Sequence, residues 1–258
     1  MHNPFEPHLK LRRIDDICVV SFNHPETLNS VDEPLHKAIS EVWAYLASVD
    51  TLRAVVLTGE GRAFSAGGDF VMFQELQDDH PRRSRLIDEA RAIVEATLNF
   101  PLPVVAAVNG PAIGLGASLA VLSDMVFIAE SAYMADPHVA VGLTAGDGGP
   151  LTWPFVTGLL RAKEYLYTGD RISAERAVEL GLANRVVRDA DTLAEALAYA
   201  RRLAALPQHA LRSTKRAINL HLLKALPGLL DYAFAMEYQS FDTPEHRQIV
   251  AEFVAKSS

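Results

Sequence analysis

A single cysteine, Cys18, stands in a chain of 258 residues, so no disulfide can form within it and zinc sites built on two or four cysteines are excluded. Such usage fits a reducing cytoplasm, and no metal site is expected. Long apolar runs are missing as well. The longest, Ala112 to Leu122, falls far short of the ~20 residues of a membrane span and is interrupted by Gly114, Gly116 and Ser118. Met1 to Lys10 lacks an apolar stretch and an Arg/Ser-rich amphipathic pattern, so neither a signal peptide nor a transit sequence is expected, and the chain reads as soluble, with no membrane partner. Positive charge is in deficit, with 24 Lys and Arg against 32 Asp and Glu. The net charge of -8 argues against nucleic acid as a partner but leaves room for a local basic pocket holding one anionic ligand. No internal repeat, low-complexity tract or Pro/Gly/Ser linker divides the chain.

What is present is apolar material, 49% of residues, enough for one large domain that buries roughly 70 to 75% of the surface its unfolded chain exposes. The first half reads as strands alternating with helices. Leu9 to Ile14 and Ile17 to Phe22, joined at Asp15-Asp16, predict a hairpin, and Ala54 to Thr58, Val104 to Val108 and Asp124 to Ala129 predict further strands. Asp32 can cap a helix in which Leu35, Ala38, Ile39, Val42, Trp43 and Leu46 share one face, and Arg82 to Leu98 predicts a second helix. After about Gly146 the pattern is almost wholly helical: Leu151 to Val156, Leu159 to Tyr167, Ser173 to Leu180, Thr192 to Ala205, Ala210 to Leu226, Leu229 to Ser240 and Pro244 to Ala255. A β/α core with a helical tail is the expected architecture. Arg82, Arg83, Arg85 and Arg91 read as a solvated helix face, with anion binding as the alternative.

Two glycine-rich turns each follow a predicted strand: GEGRAFSAGGD over Gly59 to Asp69, and NGPAIGLGAS over Asn109 to Ser118, which opens a helix. Glycine lets backbone amides approach a ligand, and a helix N-terminus presents unpaired N–H groups and a positive dipole end. Two such turns together can hold an oxyanion. Neither is a nucleotide-phosphate turn, since Leu119 stands where a third dinucleotide-motif glycine belongs and no Walker lysine follows.

Their combination resembles the crotonase, or enoyl-CoA hydratase/isomerase, superfamily. The resemblance runs through NHPETLNSVD, AFSAGGDF, PVVAAVNGPAIGLGASLAVLSDMVFIAE, LTAGDGG, LYTGDRISAERAVELGLANRVV and SFDTPEHRQIVAEFVAK, in that order. It implies an α/β fold: a spiral of ββα repeats carrying the acyl-CoA site over residues 1–200, and an all-helical C-terminal region, 201–258, that builds homotrimers or dimers of trimers. It also implies an acyl-CoA thioester as substrate, coenzyme A entering with the substrate and no separate cofactor. The thioester oxygen would be held by the amides of Gly68 and Leu115, Leu115 standing where glycine is common.

The family's two hydratase glutamates are replaced here by Ser118 and His138. Hydration needs a base for water and an acid for the α-carbon, which serine alone does not supply. An imidazole can act near neutral pH, oriented by a carboxylate, and Asp147 in the AGDGG turn can be brought to it. That His/Asp spacing resembles the oxocamphor hydrolase type branch, which cleaves β-diketones. The further pocket histidines of that branch have no match by local context, His24 and His36 being unproven. Read alone, His138 is also a loop hydrogen-bonding group and Asp147 a helix cap; the framework position favours the catalytic reading. Ser118 reads as a water-positioning group or a helix filler.

By family position Phe70, Met72 and Phe73 line the acyl pocket, with core packing as the alternative, and Trp153 narrows it. Ala66, Asp69 and Lys256 are the expected coenzyme A contacts. The usual basic residue of the early turn is replaced, with His24, Glu26 and Thr27 in NHPETLN, and Lys215 and Arg62 are further candidate phosphate partners. The leading expectation is an enoyl-CoA hydratase or isomerase using His138. A carbon-carbon hydrolase using His138 and Asp147 follows, and then a non-catalytic binding homologue.

Overall fold

The computed structural model describes residues 2–257. In chain order the elements are β1 (Leu9–Ile14), β2 (Ile17–Phe22), α1 (Glu33–Ala47), β3 (Ala54–Gly59), α2 (Phe70–Leu76), α3 (His80–Asn99), β4 (Val104–Val108), β5 (Ala112–Ile113) and α4 (Leu115–Leu122). There follow β6 (Met125–Ala129), β7 (Tyr133–Ala135), α5 (Gly149–Thr157), α6 (Leu159–Thr168), β8 (Ile172–Ser173) and α7 (Ala174–Leu180). The last elements are β9 (Arg185–Val187), α8 (Thr192–Ala204), α9 (Gln208–Ser240) and α10 (Pro244–Ser257).

The main sheet has the order β1-β2-β3-β4-β6-β9, antiparallel only in the β1/β2 hairpin. Its inner strands are mostly apolar because both faces are covered, Ser21 and Thr58 being the buried polar exceptions, and the period of two sorts their residues. Cys18, Val20, Val55, Leu57, Val104, Ala106, Val126 and Ile128 join the large core with α1, whereas Val19, Val56, Val105, Ala107 and Phe127 pack against α8. The sequence pattern is therefore realised as a mixed α/β fold with a largely parallel sheet and a helical C-terminal region. Among the described residues no helix is long and apolar enough to cross a membrane.

A second sheet, β5-β7-β8, and strand β9 were not legible as strands. Each has only two or three residues, too short for a periodic signal. The expected break between the last long helices lies at Pro227 (ψ 129) and Gly228 (φ 82) inside α9.

Arg83 corrects the expectation of a solvated arginine face. It is fully buried: Nε donates to Leu76 O at 3.0 Å, Nη2 to Gln77 O and Asp242, and Nη1 to Tyr238 O, with the Tyr238 ring 4.7 Å away. On α3 it shares the buried stripe of Ala90, Val94 and Leu98, and so joins α2 and α3 to the end of α9. Arg82 and Arg91 instead pair with acids, Glu33 and Glu75 for the first and Asp231 for the second. Arg83→Met removes the donors to the buried carbonyls of Leu76 and Gln77 and to the partly buried one of Tyr238, and is expected to cost roughly 3–5 kcal/mol, read as a lower urea midpoint. An unchanged midpoint would remove Arg83 from the scaffold.

Candidate active site

The two glycine turns meet because strand-like contacts join them. Ser65 pairs with Ala112 and Val31 with Gly68, and the Ile113 N–H donates to Ser65 O at 2.9 Å. Gly67 has φ +84, and a Cβ there would lie 3.0 Å from Ile113 O. Gly114, at φ +53, caps α4, and a Cβ on it would stand 3.6 Å from His138 Cε1. Both positions require glycine, and they bring the turns and the imidazole to one place.

The amides of Gly68 and Leu115 have no acceptor among the described residues. Leu115 is the first residue of α4, where an N–H has no partner inside the helix, and the positive dipole end lies there too. Both residues line a cavity of about 420 Å³. Its wall also contains His138 and Asp147, so an oxyanion can be held beside an acid/base group.

His138 is clamped between carboxylates. Its Nδ1–H donates to Asp136 Oδ1, and its Nε2 lies 3.5 Å from Asp147 Oδ2. Ser118 Oγ–H donates to Asp147 Oδ1 at 2.8 Å, so Ser118 holds the carboxylate in place. Asp136, not singled out in the sequence, is 1% exposed, and its Oδ2 packs against Gly149 at the start of α5. Burial pushes the His138 pKa down, but Asp136 and Asp147 push it up further, and it stands well above 6.5. Burial raises the Asp147 pKa, against the opposing pull of His138.

Two more groups reach the cavity. His36, on α1, donates from Nδ1 to Glu89 at 3.0 Å and lines the wall. Glu237, on α9, lines it too, and its buried Oε2 has no hydrogen-bond partner. Burial moves its pKa up to about 8, Asp147 and Asp136 adding to the rise and His138 opposing it. Glu237 carried a readable signal: it lies on the stripe of Leu230, Ala233, Phe234 and Phe241, where a carboxylate is out of place.

Phe70, Met72 and Phe73 line the cavity, together with Phe241 and Phe253. Trp153 does not: it is fully buried in the main core, so α5 contributes it to packing and the pocket is not narrowed there. Ala66 reaches the cavity wall. Asp69 instead caps α2, accepting from the Met72 N–H at 2.9 Å, and Lys256 is exposed near the end of α10; neither lines the cavity. The Lys215 ammonium is buried against Asp124 and Leu102 O, each at 2.7 Å, which makes it a structural tie and no free phosphate partner. Arg62 is exposed. His8, His24 and Asp32 place one potential ligand atom each within 4.8 Å of one another, and none of the three lines the cavity.

The layered α/β fold, with two free amides facing a buried imidazole and carboxylates, defines a class of proteins whose site has room for an oxyanion next to an acid/base group. Within that class the chain belongs to the enoyl-CoA hydratase/isomerase family, whose model matches residues 12–258. It is 34% identical over 251 residues to the 1,2-epoxyphenylacetyl-CoA isomerase of Escherichia coli, covering 94% of this chain and 93% of that one. To the crotonyl-CoA hydratase of Syntrophomonas wolfei it is 29% identical over 252 residues, covering 95% and 94%. The crystal structure of an enoyl-CoA hydratase/isomerase from Mycobacterium paratuberculosis superimposes with a TM-score of 0.94 at 51% identity, covering 97% of this chain and 100% of the other.

Proposed function

We infer that the protein acts on an unsaturated acyl-CoA thioester, by hydration or double-bond isomerisation, through an enolate. The observation that carries this reading is that the unpartnered Gly68 and Leu115 amides line the same cavity as His138 and Asp147. The thioester oxygen would gain negative charge against the two amides while His138, paired with Asp147, exchanges the proton. The aromatic wall of Phe70, Phe73 and Phe241 suits an apolar acyl group. Coenzyme A enters as part of the substrate, with exposed Arg62 and Lys256 as cations for its phosphates. A homotrimer or dimer of trimers completes the proposal, supported by the exposed apolar residues Phe155, Leu159 and Leu160 on α5 and α6.

The test is turnover of crotonyl-CoA by the purified protein, read as loss of the conjugated enone absorbance, with a 3-enoyl-CoA run in parallel. Turnover of either supports the reading, and absence of both overturns it. Asp147→Asn is expected to lower kcat at least ~10-fold with an unchanged far-UV spectrum, because the imidazole loses charge on one side. Full activity of that variant would limit Asp147 to a packing role.

A second reading, hydrolysis of a β-dicarbonyl carbon-carbon bond, is supported by His36, which supplies the additional pocket histidine that the sequence left unmatched. Water activated by His138 would add to one carbonyl. The C–C bond would then break, its electron pair passing to the other carbonyl as an enolate held by the two amides, and the enolate carbon would take back the proton that His138 removed from water. Cyclic β-diketones and β-keto thioesters, offered to the same preparation, separate the two readings.

A further inference from the structure

We propose that His8, His24 and Asp32 form a binding site for a divalent ion of the zinc type, with Glu26 orienting one of the two imidazoles. The cysteine count excludes thiolate sites only, and two imidazoles with a carboxylate are a zinc donor set of their own. None of the three ligands lines the cavity, so the site is separate from it.

The three residues come from different parts of the chain: His8 precedes β1, His24 follows β2, and Asp32 caps α1. The hairpin brings the first two together. Leu9 pairs with Phe22, and the Asn23 N–H donates to His8 O at 3.0 Å. His8 Nδ1 then faces His24 Nε2 at 3.0 Å. Two nitrogens that each lie about 2.0–2.1 Å from one ion stand about 3 Å apart, so this is the spacing that two neighbouring ligands need. Without an ion, one hydrogen lies between the two nitrogens. For both to ligate, that hydrogen moves to the far nitrogen of its own ring, which leaves His8 with its Nε2–H, His24 with its Nδ1–H and the net charge unchanged.

The surroundings suit a cation. His24 Nδ1 lies 3.8 Å from Glu26 Oε1, the place of a carboxylate that orients a metal-bound imidazole. Asp32 Oδ1 accepts from the Leu35 N–H at 2.9 Å, and the other oxygen is left for the ion. One ligand atom from each of His8, His24 and Asp32 lies within 4.8 Å of the others. All three side chains are half-buried, which lets them rotate onto an ion and lets water complete a tetrahedron. The backbone beneath them is held firmly. Asn29 is fully buried; its Oδ1 accepts from the His24 N–H at 2.8 Å, and its Nδ2 donates to Glu60 O and Ala63 O at 2.9 Å. Val31, next to Asp32, donates its N–H to Gly67 O at 2.7 Å. Ligands held in this way lose little freedom on binding, and the ion ties the segment before β1 to the turn after β2 and to the start of α1.

Among the described residues a second group, Asp136, His138 and Asp147, also gathers three potential ligand atoms, and the experiment separates the two. Zinc chloride is titrated into the chelator-treated full chain by calorimetry, with the thermal midpoint followed in parallel. Binding to the wild type and a midpoint that rises with zinc concentration are expected. His8→Gln and His24→Gln should each weaken that binding more than ~10²-fold, and Glu26→Gln, which removes only the orienting carboxylate, by ~10-fold. His138→Gln should keep the ion. X-ray absorption of the zinc-loaded protein should show two imidazoles on the metal. A wild type that takes up no zinc overturns the proposal and leaves the two histidines as a hydrogen-bonded pair. Wild-type affinity in His8→Gln and His24→Gln also overturns it, and loss of the ion in His138→Gln alone would place the ion in the cavity instead.

Discussion

Replacing His138 by alanine is expected to lower kcat on the enoyl-CoA substrate at least ~10²-fold, the usual worth of a positioned acid/base. The loss should fall on kcat more than on KM, since the apolar wall and the two amides remain. A second effect comes from charge. Asp136 is 1% exposed and Asp147 8% exposed, and the imidazole between them is the group that can carry positive charge. Without it two buried carboxylates face each other, so one must take up a proton or the turn after β7 must open. His138→Gln keeps a donor toward Asp136 and separates the two effects. Both variants are expected to lose turnover, while the glutamine variant should keep a thermal midpoint nearer the wild type. Wild-type turnover in both would return His138 to the role of a loop hydrogen-bonding group.

The second large effect is expected from Leu115→Pro. Proline is tolerated at the first position of a helix, because the N–H it removes has no partner inside the helix. Gly114 before it, at φ +53 and ψ -121, lies outside the α region that a following proline disfavours. The substitution therefore deletes one amide donor at the smallest available cost in structure. Loss of one such donor is worth ~10²–10³ in kcat, about 3 kcal/mol. Gly68 is a poorer site for the same test, since a Cβ there would fall 2.1 Å from Phe73 Cζ. Leu115→Ala is the control. It removes packing from the main core, where the leucine is 7% exposed, and keeps the amide. Its stability should fall while kcat stays within a few-fold. Equal loss of kcat in both variants would assign the effect to the side chain and displace Leu115 from the oxyanion site.

The local elements were read well because their causes are local. The hairpin expected at Asp15-Asp16 pairs Leu9 to Ile14 with Ile17 to Phe22 residue for residue. Asp32 caps α1 through the Leu35 N–H, and the six apolar residues expected on one face of that helix are all buried. The glycine turns were found at the strand ends for the same reason: positive φ and a strand-to-helix reversal leave a mark in a few adjacent residues. The short strands of the second sheet left none. β5 exists because Ser65 and β7 flank it, contacts made 47 and 22 residues away in sequence.

The chemistry of the site divides along the same line. Gly68, Leu115, His138, Asp147 and Ser118 could be named from motif position, and composition alone excluded disulfides and membrane-spanning runs. Three decisions required the tertiary structure. Asp136 becomes the inner partner of His138 only because the Asp136-Pro137-His138 turn folds the carboxylate back onto Nδ1. Arg83 leaves the solvent-facing set because α2 and the end of α9 close over it and offer carbonyls that a sequence cannot display. Glu237 becomes an acid of the cavity because α9 turns its apolar stripe inward and carries the carboxyl with it, away from water. Motifs record which backbone turns a chain can make. Burial decides which ionisable groups keep their protons, and burial depends on elements far apart in sequence.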